Sequence, residues 1–248
     1  MRPPAGLEIL PVLGLPEVGA GDDLAALLAG AAGWHDGDVL VVAQKIVSKA
    51  EGRLLDLAGI RPGAVARAYA QHLVERDARF IQAVLDESVR VVRDERVLIV
   101  QTRHGFVCAN AGIDHSNVPG PDRVVLLPLD PDASARRLRE GLRALTGRDV
   151  AIIVADTFGR AWRMGIANVA LGVAGLAPLV DHRGLPDDFG REMQATLIAV
   201  ADELAGAAEL VMGKTARVPA AIVRGWPAGV APGRGRDLIR PADLDLFR

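Results

Sequence analysis

Two stretches carry residue types that could do chemistry. The first, His104-Gly-Phe-Val-Cys-Ala-Asn-Ala-Gly-Ile-Asp-His-Ser-Asn-Val-Pro119, leaves the apolar run 97–100, passes through small residues and ends in Asp114, His115, Ser116 and Asn117. Asp114 offers hard oxygen ligands for Mg²⁺ or Mn²⁺, and the Asn117 amide can donate to a phosphate or a base and accept as well. On its own this stretch reads equally well as a turn rich in Asn, Asp and Gly. The second, Ala155-Asp-Thr-Phe-Gly-Arg-Ala-Trp-Arg-Met-Gly165, follows the apolar run 150–154, which is short for a helix and reads as a buried strand delivering Asp156 and Thr157 at its end. Strand ends are where α/β-type sheets present chemistry. A carboxylate beside a hydroxyl can share a divalent cation, and Arg160 and Arg163 follow closely enough to face an anion. Two Asp-bearing segments with arginines suggest metal-assisted phosphate chemistry, in which the cation spreads charge on the transferring group.

The elements that must position these residues are read from periodicity. Leu7 to Leu13 is a short strand, and Asp22 or Asp23 caps a helix through Leu24, Leu27, Leu28 and Ala31 that Gly33 stops. Val39 to Val42 is a buried strand running into Gln44-Lys-Ile-Val-Ser-Lys-Ala-Glu-Gly-Arg53, where a helical turn would put Lys45 and Lys49 on one face, both within reach of phosphate oxygens. Pro62 to Ser88 reads as mostly helical, with Val65, Tyr69, His72 and Leu73 inward. Val89–Val92 and Val97–Gln101 form a hairpin, Val124–Leu127 a strand, and Pro131 with Asp132 opens a helix to Leu145 whose arginines are solvated. Ile166 to Leu179, rich in Gly, Ala and Val, indicates closely approaching backbones. Asp181 to Asp188 is an exposed loop, Glu192 to Leu210 a helix with Leu197, Val200, Ala201 and Leu204 inward, and Ala220 to Val223 a late strand. Gly225 to Gly235 is a Gly/Pro-rich loop, and Asp243 to Phe247 docks at the end.

Composition narrows the function classes. Half of the 248 residues are hydrophobic, enough for a substantial core. Lys plus Arg (29) nearly balances Asp plus Glu (31), so no basic field advertises nucleic acid or an anionic membrane, and aromatics at 4% argue against base-stacking platforms. Small polar ligands fit better. The lone Cys108 excludes an intrachain disulfide and a multi-Cys zinc site, and between Val107 and Ala109 it reads as packing. The absence of a long apolar segment points to a cytoplasmic protein without a signal peptide or membrane span. Gly213-Lys214-Thr215 looks like the end of a Walker A loop, but Ala208 stands where that motif needs glycine, and a helix precedes where a strand should. A helix-to-strand turn with free N–H groups, Lys and Thr can still cradle phosphates.

Taken in order, Ile9-Leu-Pro-Val-Leu-Gly-Leu-Pro-Glu17, Lys45 to Arg53, His104 to Val118, Asp156-Thr-Phe-Gly-Arg-Ala-Trp-Arg163, Ala201-Asp-Glu-Leu-Ala205 and Met212-Gly-Lys214 resemble the coenzyme F420 gamma-glutamyl ligases across nearly the whole chain. The resemblance is to the form without a C-terminal flavin domain. It implies an α+β (mixed α/β) fold with mixed sheets and flanking helices, one ligase domain over 1–248 with room for two intertwined subdomains, and a homodimer, for which the run 166–179 is a plausible contact. It implies a GTP-dependent enzyme that extends F420-0 with L-glutamate through an acyl phosphate, using Mg²⁺ or Mn²⁺, with K⁺ a further candidate. Carried over by motif, Leu15, Pro16, Glu17, Val18, Gln44, Lys49, Asn117, Met212, Gly213, Lys214, Thr215, Ala216, Arg217, Val218 and Pro219 would bind GTP. Asp114, Asp156 and Thr157 would hold metal, and Asp114, Asp156, Lys49 and Arg160 would serve catalysis. Gln44 stands where relatives often have Ser or Thr, and Lys214 where archaeal members have a Gln associated with a second metal. A cation of the protein's own would replace part of that charge. A metal-dependent phosphatase and a non-catalytic GTP-binding protein are the competing readings.

Overall fold

The computed structural model describes residues 6–227 and 232–245. In chain order its elements are β1 (Glu8–Pro11), α1 (Leu24–Ala31), β2 (Val39–Ala43), α2 (Gln44–Ala50), β3 (Leu54–Asp56), α3 (Ala64–Tyr69), α4 (Ala78–Asp86), β4 (Ser88–Arg93), β5 (Ile99–Thr102), β6 (Val107–Ala109) and β7 (Arg123–Val125). There follow α5 (Pro131–Thr146), β8 (Ala151–Arg160), β9 (Arg163–Ala174), β10 (Val180–Asp181), β11 (Leu197–Ile198), α6 (Val200–Met212) and β12 (Ala220–Arg224), with short 3₁₀ turns between and after them. Helices and mixed sheets together make the α+β fold that was expected.

The central sheet has the order β1-β12-β2-β8-β9, in which only β2 and β8 run parallel. Both of its faces are buried, which is why 39–42 and 150–154 read as unbroken apolar runs rather than alternating ones. Leu40, Val42, Ile152, Val154 and Ile222 pack against α1 and α5 on one face; Val39, Val41, Ile153, Ala155 and Val223 pack against α6 on the other. The segment between α2 and α5 builds a separate apolar cluster of Leu57, Leu73, Phe80, Ile81, Val84, Leu98, Val100, Ile113 and Val124, covered by the sheet β4-β5-β6 and the pair β3-β7.

Local chemistry sets the element ends. Asp23 accepts the N–H of Ala26 and caps α1, while Asp130 accepts that of Ala133 and caps α5, with Pro131 at its first position. Gly147, left-handed at φ 70°, closes α5. Close backbone approach in the run 166–179 is present: an added Cβ on Gly172 would lie 2.1 Å from the Pro131 carbonyl oxygen. The buried Asp132 ties the same junction by accepting the N–H groups of Val173 at 2.9 Å and Gly235 at 2.6 Å.

Several expectations are corrected. β8 does not stop at Asp156 and Thr157; it runs to Arg160 and returns as β9, because a tight turn lets the pair continue as a two-stranded ribbon beyond the sheet. Glu192 to Ala199 is not helical, since α6 starts at Val200 and Leu197 lies half-exposed in β11. The stretch 62–88 breaks between α3 and α4, leaving Val65 and His72 exposed, with His72 past the helix end. Arg139 is not simply solvated, because it holds Asp149 and the Val150 carbonyl. Residues 170–171 and 173–174 are buried within the chain itself, which removes most of the run 166–179 from any subunit contact. Leu244 is exposed, and Phe247 and residues 228–231 lie outside the described residues.

Gly172→Ala should cost about 1–3 kcal/mol, since overpacking against rigid backbone cannot relax through a rotamer. Thermal denaturation that leaves the Tm of this variant unchanged would contradict the tight α5–β9 contact.

Candidate active site

The register of the central sheet places the expected segments along one edge. At this edge β1 gives way to residues 12–18, β12 emerges from the turn 213–219, β2 passes directly into α2 at Gln44, and the last β2–β8 pair is Ala43 with Ala155. Asp156 is therefore the first residue of β8 beyond its parallel partner, at the carboxyl ends of two parallel strands.

Asp114 reaches this edge from the other cluster. A two-bond bridge with Val125 fixes its backbone, and its Oδ2 accepts from Lys45 Nζ at 2.8 Å. Ser116 wraps back, its N–H on Asp114 Oδ1 at 2.7 Å and its hydroxyl on Oδ2 at 2.8 Å, while Lys45 also donates to Ser116 Oγ at 2.6 Å. Burial pushes the Asp114 carboxyl up, but the Lys45 and Ser116 hydrogen bonds outweigh it and hold the group below the usual carboxylate range. Asp156 behaves in the opposite way. Burial pushes it up to about 6, the Thr157 N–H and the charges of Lys214 and Lys45 oppose the rise, and the like charge of Asp114 adds to it. The two carboxylates thus feel each other, and Lys45 feels both. Asp156 also helps burial to push the Cys108 thiol up to about 12, so Cys108 is an inert packing residue, as expected.

Lys45 and Lys49 do share a face of α2, one turn apart. Lys49 is buried and pairs with Glu17 of the loop 15–18. That uses one of its three donors. Gln44 is fully buried; its carbonyl oxygen accepts from Ser48 at 2.9 Å, and its Nε2 has no partner among the described residues. Among the described residues the Trp34 Nε1 is the other buried side-chain donor without a partner, so the Gln44 amide gains weight from its place beside Lys45 on α2 rather than from being unpaired alone. The backbone N–H groups of residues 13–15, 17–18 and 214–218 likewise donate to no backbone carbonyl of the described residues, and the two segments adjoin because β1 and β12 pair. Such amides form an anion-receptive surface. Met212 and Val218 are buried in the core and anchor their turn, whereas Gly213, Lys214, Thr215, Ala216 and Arg217 are exposed. Leu15 is half-buried, Pro16 is exposed and Val18 is buried; Asn117 is exposed at a left-handed φ of 57°.

Arg160 and Arg163 are not brought to the carboxylates. They sit at the ribbon tip, where Arg160 donates to the Met164 carbonyl, about 13 Å along the strand from Asp156 at about 3.3 Å per residue. Thr157 points to the opposite face from Asp156, as neighbours on a strand must, and its hydroxyl donates to Asn168 Oδ1 at 2.9 Å. Sequence reasoning missed Asn168 and Glu209, whose carboxylate accepts from Asn168 Nδ2 at 3.0 Å. The only signal was one amide in an apolar run.

The chain matches the family model for F420-0:gamma-glutamyl ligase over residues 13–225. The chain belongs to this family. It is 46% identical over 252 aligned residues to the coenzyme F420:L-glutamate ligase of Methanothermobacter thermautotrophicus, covering 98% of this chain and 99% of that protein. The proteins of the same name from Methanopyrus kandleri and Archaeoglobus fulgidus are 44% and 42% identical, again over 98% of this chain and over 98% and 96% of their own lengths. The matched span contains every site residue of this F420-0:gamma-glutamyl ligase family member discussed above. Among the described residues no group of three or more His, Cys, Asp or Glu surrounds a metal position. A pair of carboxylates still fits Mg²⁺ or Mn²⁺, because Mg²⁺ is commonly held by one or two carboxylates, waters and substrate phosphates. Asp156, desolvated and facing a like charge, is the kind of carboxylate that a cation would relieve. No helix of the described residues is long and apolar enough to cross a membrane.

The raised Asp156 value gives a signed prediction for the metal-free protein. The folded state holds this proton more tightly than the unfolded chain, so ionisation destabilises the fold as pH rises from about 3.8 to about 6. In EDTA, Asp156→Asn should melt higher than the parent at pH 7 and lose that advantage below pH 4. Equal melting curves across this window would remove the desolvated carboxylate from the account.

Proposed function

We propose that this chain is a ligase that adds L-glutamate to F420-0 and, through a gamma linkage, to F420-1, driven by GTP and a divalent metal. The relatives named above are coenzyme F420:L-glutamate ligases covered nearly end to end, and this supports the acceptor and the amino acid. The observation that carries the reading is the coupling of Asp114 and Asp156 through Lys45, at the same sheet edge as two segments whose N–H groups donate to no backbone carbonyl of the described residues.

In the proposed reaction a carboxylate oxygen of F420-0 attacks the γ-phosphorus of GTP and the bond to GDP breaks, leaving an acyl phosphate. The glutamate amine, having given up a proton, then attacks the acyl carbon, and inorganic phosphate leaves. The divalent metal, held by Asp114 and Asp156, would supply charge neutralisation at the terminal phosphate. Lys45, displaced from Asp114 by that cation, and Lys49, with donors left over beside Glu17, would hold phosphate oxygens as preorganised point charges. Leu15 to Val18, the turn 213–217 and Asn117 would contact the nucleotide, and the orphaned Nε2 of Gln44 would find its acceptor there. Arg160 and Arg163, at the ribbon tip, would face the anionic acceptor or the incoming glutamate rather than the nucleotide.

The test is mass spectrometry of F420-0 incubated with GTP, Mn²⁺ and L-glutamate. Mass gains in glutamyl steps with matching GDP formation are expected. GDP formation that ignores glutamate would instead favour a phosphatase, and nucleotide binding without turnover a non-catalytic GTP-binding protein. Asp156→Ala should lower turnover by about three orders of magnitude or more, on the scale of losing a preorganised charge contact; near-normal rates in saturating Mn²⁺ would refute its role.

A homodimer is proposed as well. The ribbon tip exposes Trp162 (82%), Met164 (96%) and Ile166 (60%), an apolar group that a second copy would cover. Light scattering should find a dimer that Met164→Glu converts to monomer; a monomeric parent protein would end this proposal.

A further inference from the structure

Thr157, Asn168, Glu209 and Lys214 close a ring of which the reading above uses only Lys214, as part of the nucleotide turn. The Thr157 hydroxyl has one proton and two lone pairs. The proton goes to Asn168 Oδ1, and the Lys214 ammonium donates to the same hydroxyl oxygen. Asn168 is 5% exposed and its amide is locked, since a flipped amide would set its oxygen against Glu209 and its NH₂ against the threonine proton. The threonine lone pairs are thereby left for a cation. Glu209 Oε1 stands 3.7 Å from the same ammonium and completes the ring. Three elements contribute: β8 and β9 as the cross-strand pair Thr157 with Asn168, and the last turn of α6. The result is an oxygen-lined seat for positive charge, backed by Asp156 on the other side of the strand, and the protein's own lysine fills it.

We infer that Lys214 is a built-in cation of the active site, so that this ligase takes a single divalent ion, at Asp114 and Asp156, and supplies the other positive charge beside the nucleotide from its own chain. The inference rests on the GTP reading. A metal ion entering the seat would meet the ammonium as a like charge a few ångströms away, and would also have to compete with it for Thr157 and Glu209. A lysine on an open turn, 57% exposed, can hold this place without the desolvation that a deeply buried ammonium suffers. Lys214 is also the larger cationic influence on Asp156, ahead of Lys45.

The experiment is an electron paramagnetic resonance titration of the intact protein with Mn²⁺ in the presence of a non-hydrolysable GTP analogue. The parent protein should hold one tightly bound Mn²⁺ per chain. Lys214→Gln, which keeps hydrogen bonding but removes the charge, should hold two, and Lys214→Arg should return to one. The exposed position makes folding of all three insensitive to the change, which unaltered melting curves would verify. Two ions in the parent protein, or one in Lys214→Gln, would overturn the built-in cation and leave the GTP reading intact. Failure of every form to bind Mn²⁺ with the nucleotide would overturn both.

Discussion

The site depends on one long-range ion pair, Lys45 with Asp114, made between residues 69 positions apart. Lys45 belongs to the helix that continues a central strand, and Asp114 to the loop that leaves the smaller cluster, so this contact joins the two apolar clusters where the chemistry is concentrated. A carboxylate brought toward a second carboxylate in a partly dry place needs a compensating charge. Lys45 provides it for Asp114, and Asp156 is left with the deficit. The opposite behaviour of the two groups has two causes: burial pushes Asp156 up to about 6, whereas the hydrogen bonds of Lys45 and Ser116 hold Asp114 down.

The alternation of side chains on β8 divides the charges into two systems. Asp156 looks toward β6, α2 and Asp114, while Thr157 looks toward Asn168 and α6. On a free strand these two faces would be unrelated. Here they act on one spot because the parallel partner β2 ends at Ala43, which opens the strand edge just where Asp156 begins. The turn after α6 brings Lys214 back over that opening. Gln44 and Lys49 complete the picture on α2, the one as a donor without a partner among the described residues and the other as a buried ammonium paired with the largely exposed Glu17. Unspent hydrogen-bonding capacity of this kind, kept inside a well-packed sheet edge, is what an anionic ligand would use.

Rigidity at this edge comes from the far side of the sheet. Asp132 accepts two buried N–H groups at a junction where Gly172 lets the start of α5 touch β9 backbone to backbone. The same stretch of β9 lies opposite the register shift between Val154 and Ala155, just before the ribbon carrying Asp156 and Thr157.

The sequence by itself determined the central strands, the capped helices α1 and α5, the family, and the aspartates as the residues to watch, because these are written in short-range signals: unbroken apolar runs, an Asp before a helix, a colinear set of motifs. It misplaced the start of α6 and the end of β8, since Leu197 and the residues past Thr157 carry the same apolar and small side chains in either state. Val65 and His72 looked inward only because helical spacing was extended over a stretch that tertiary packing breaks. What the tertiary structure alone decided is the partnership of charges. Lys45 with Asp114, Lys49 with Glu17 and Lys214 with Thr157 span 32 to 69 residues of sequence; no local rule pairs them, because a charge responds to distance and desolvation, and both are set only when the sheet edge, the loop and the turn meet.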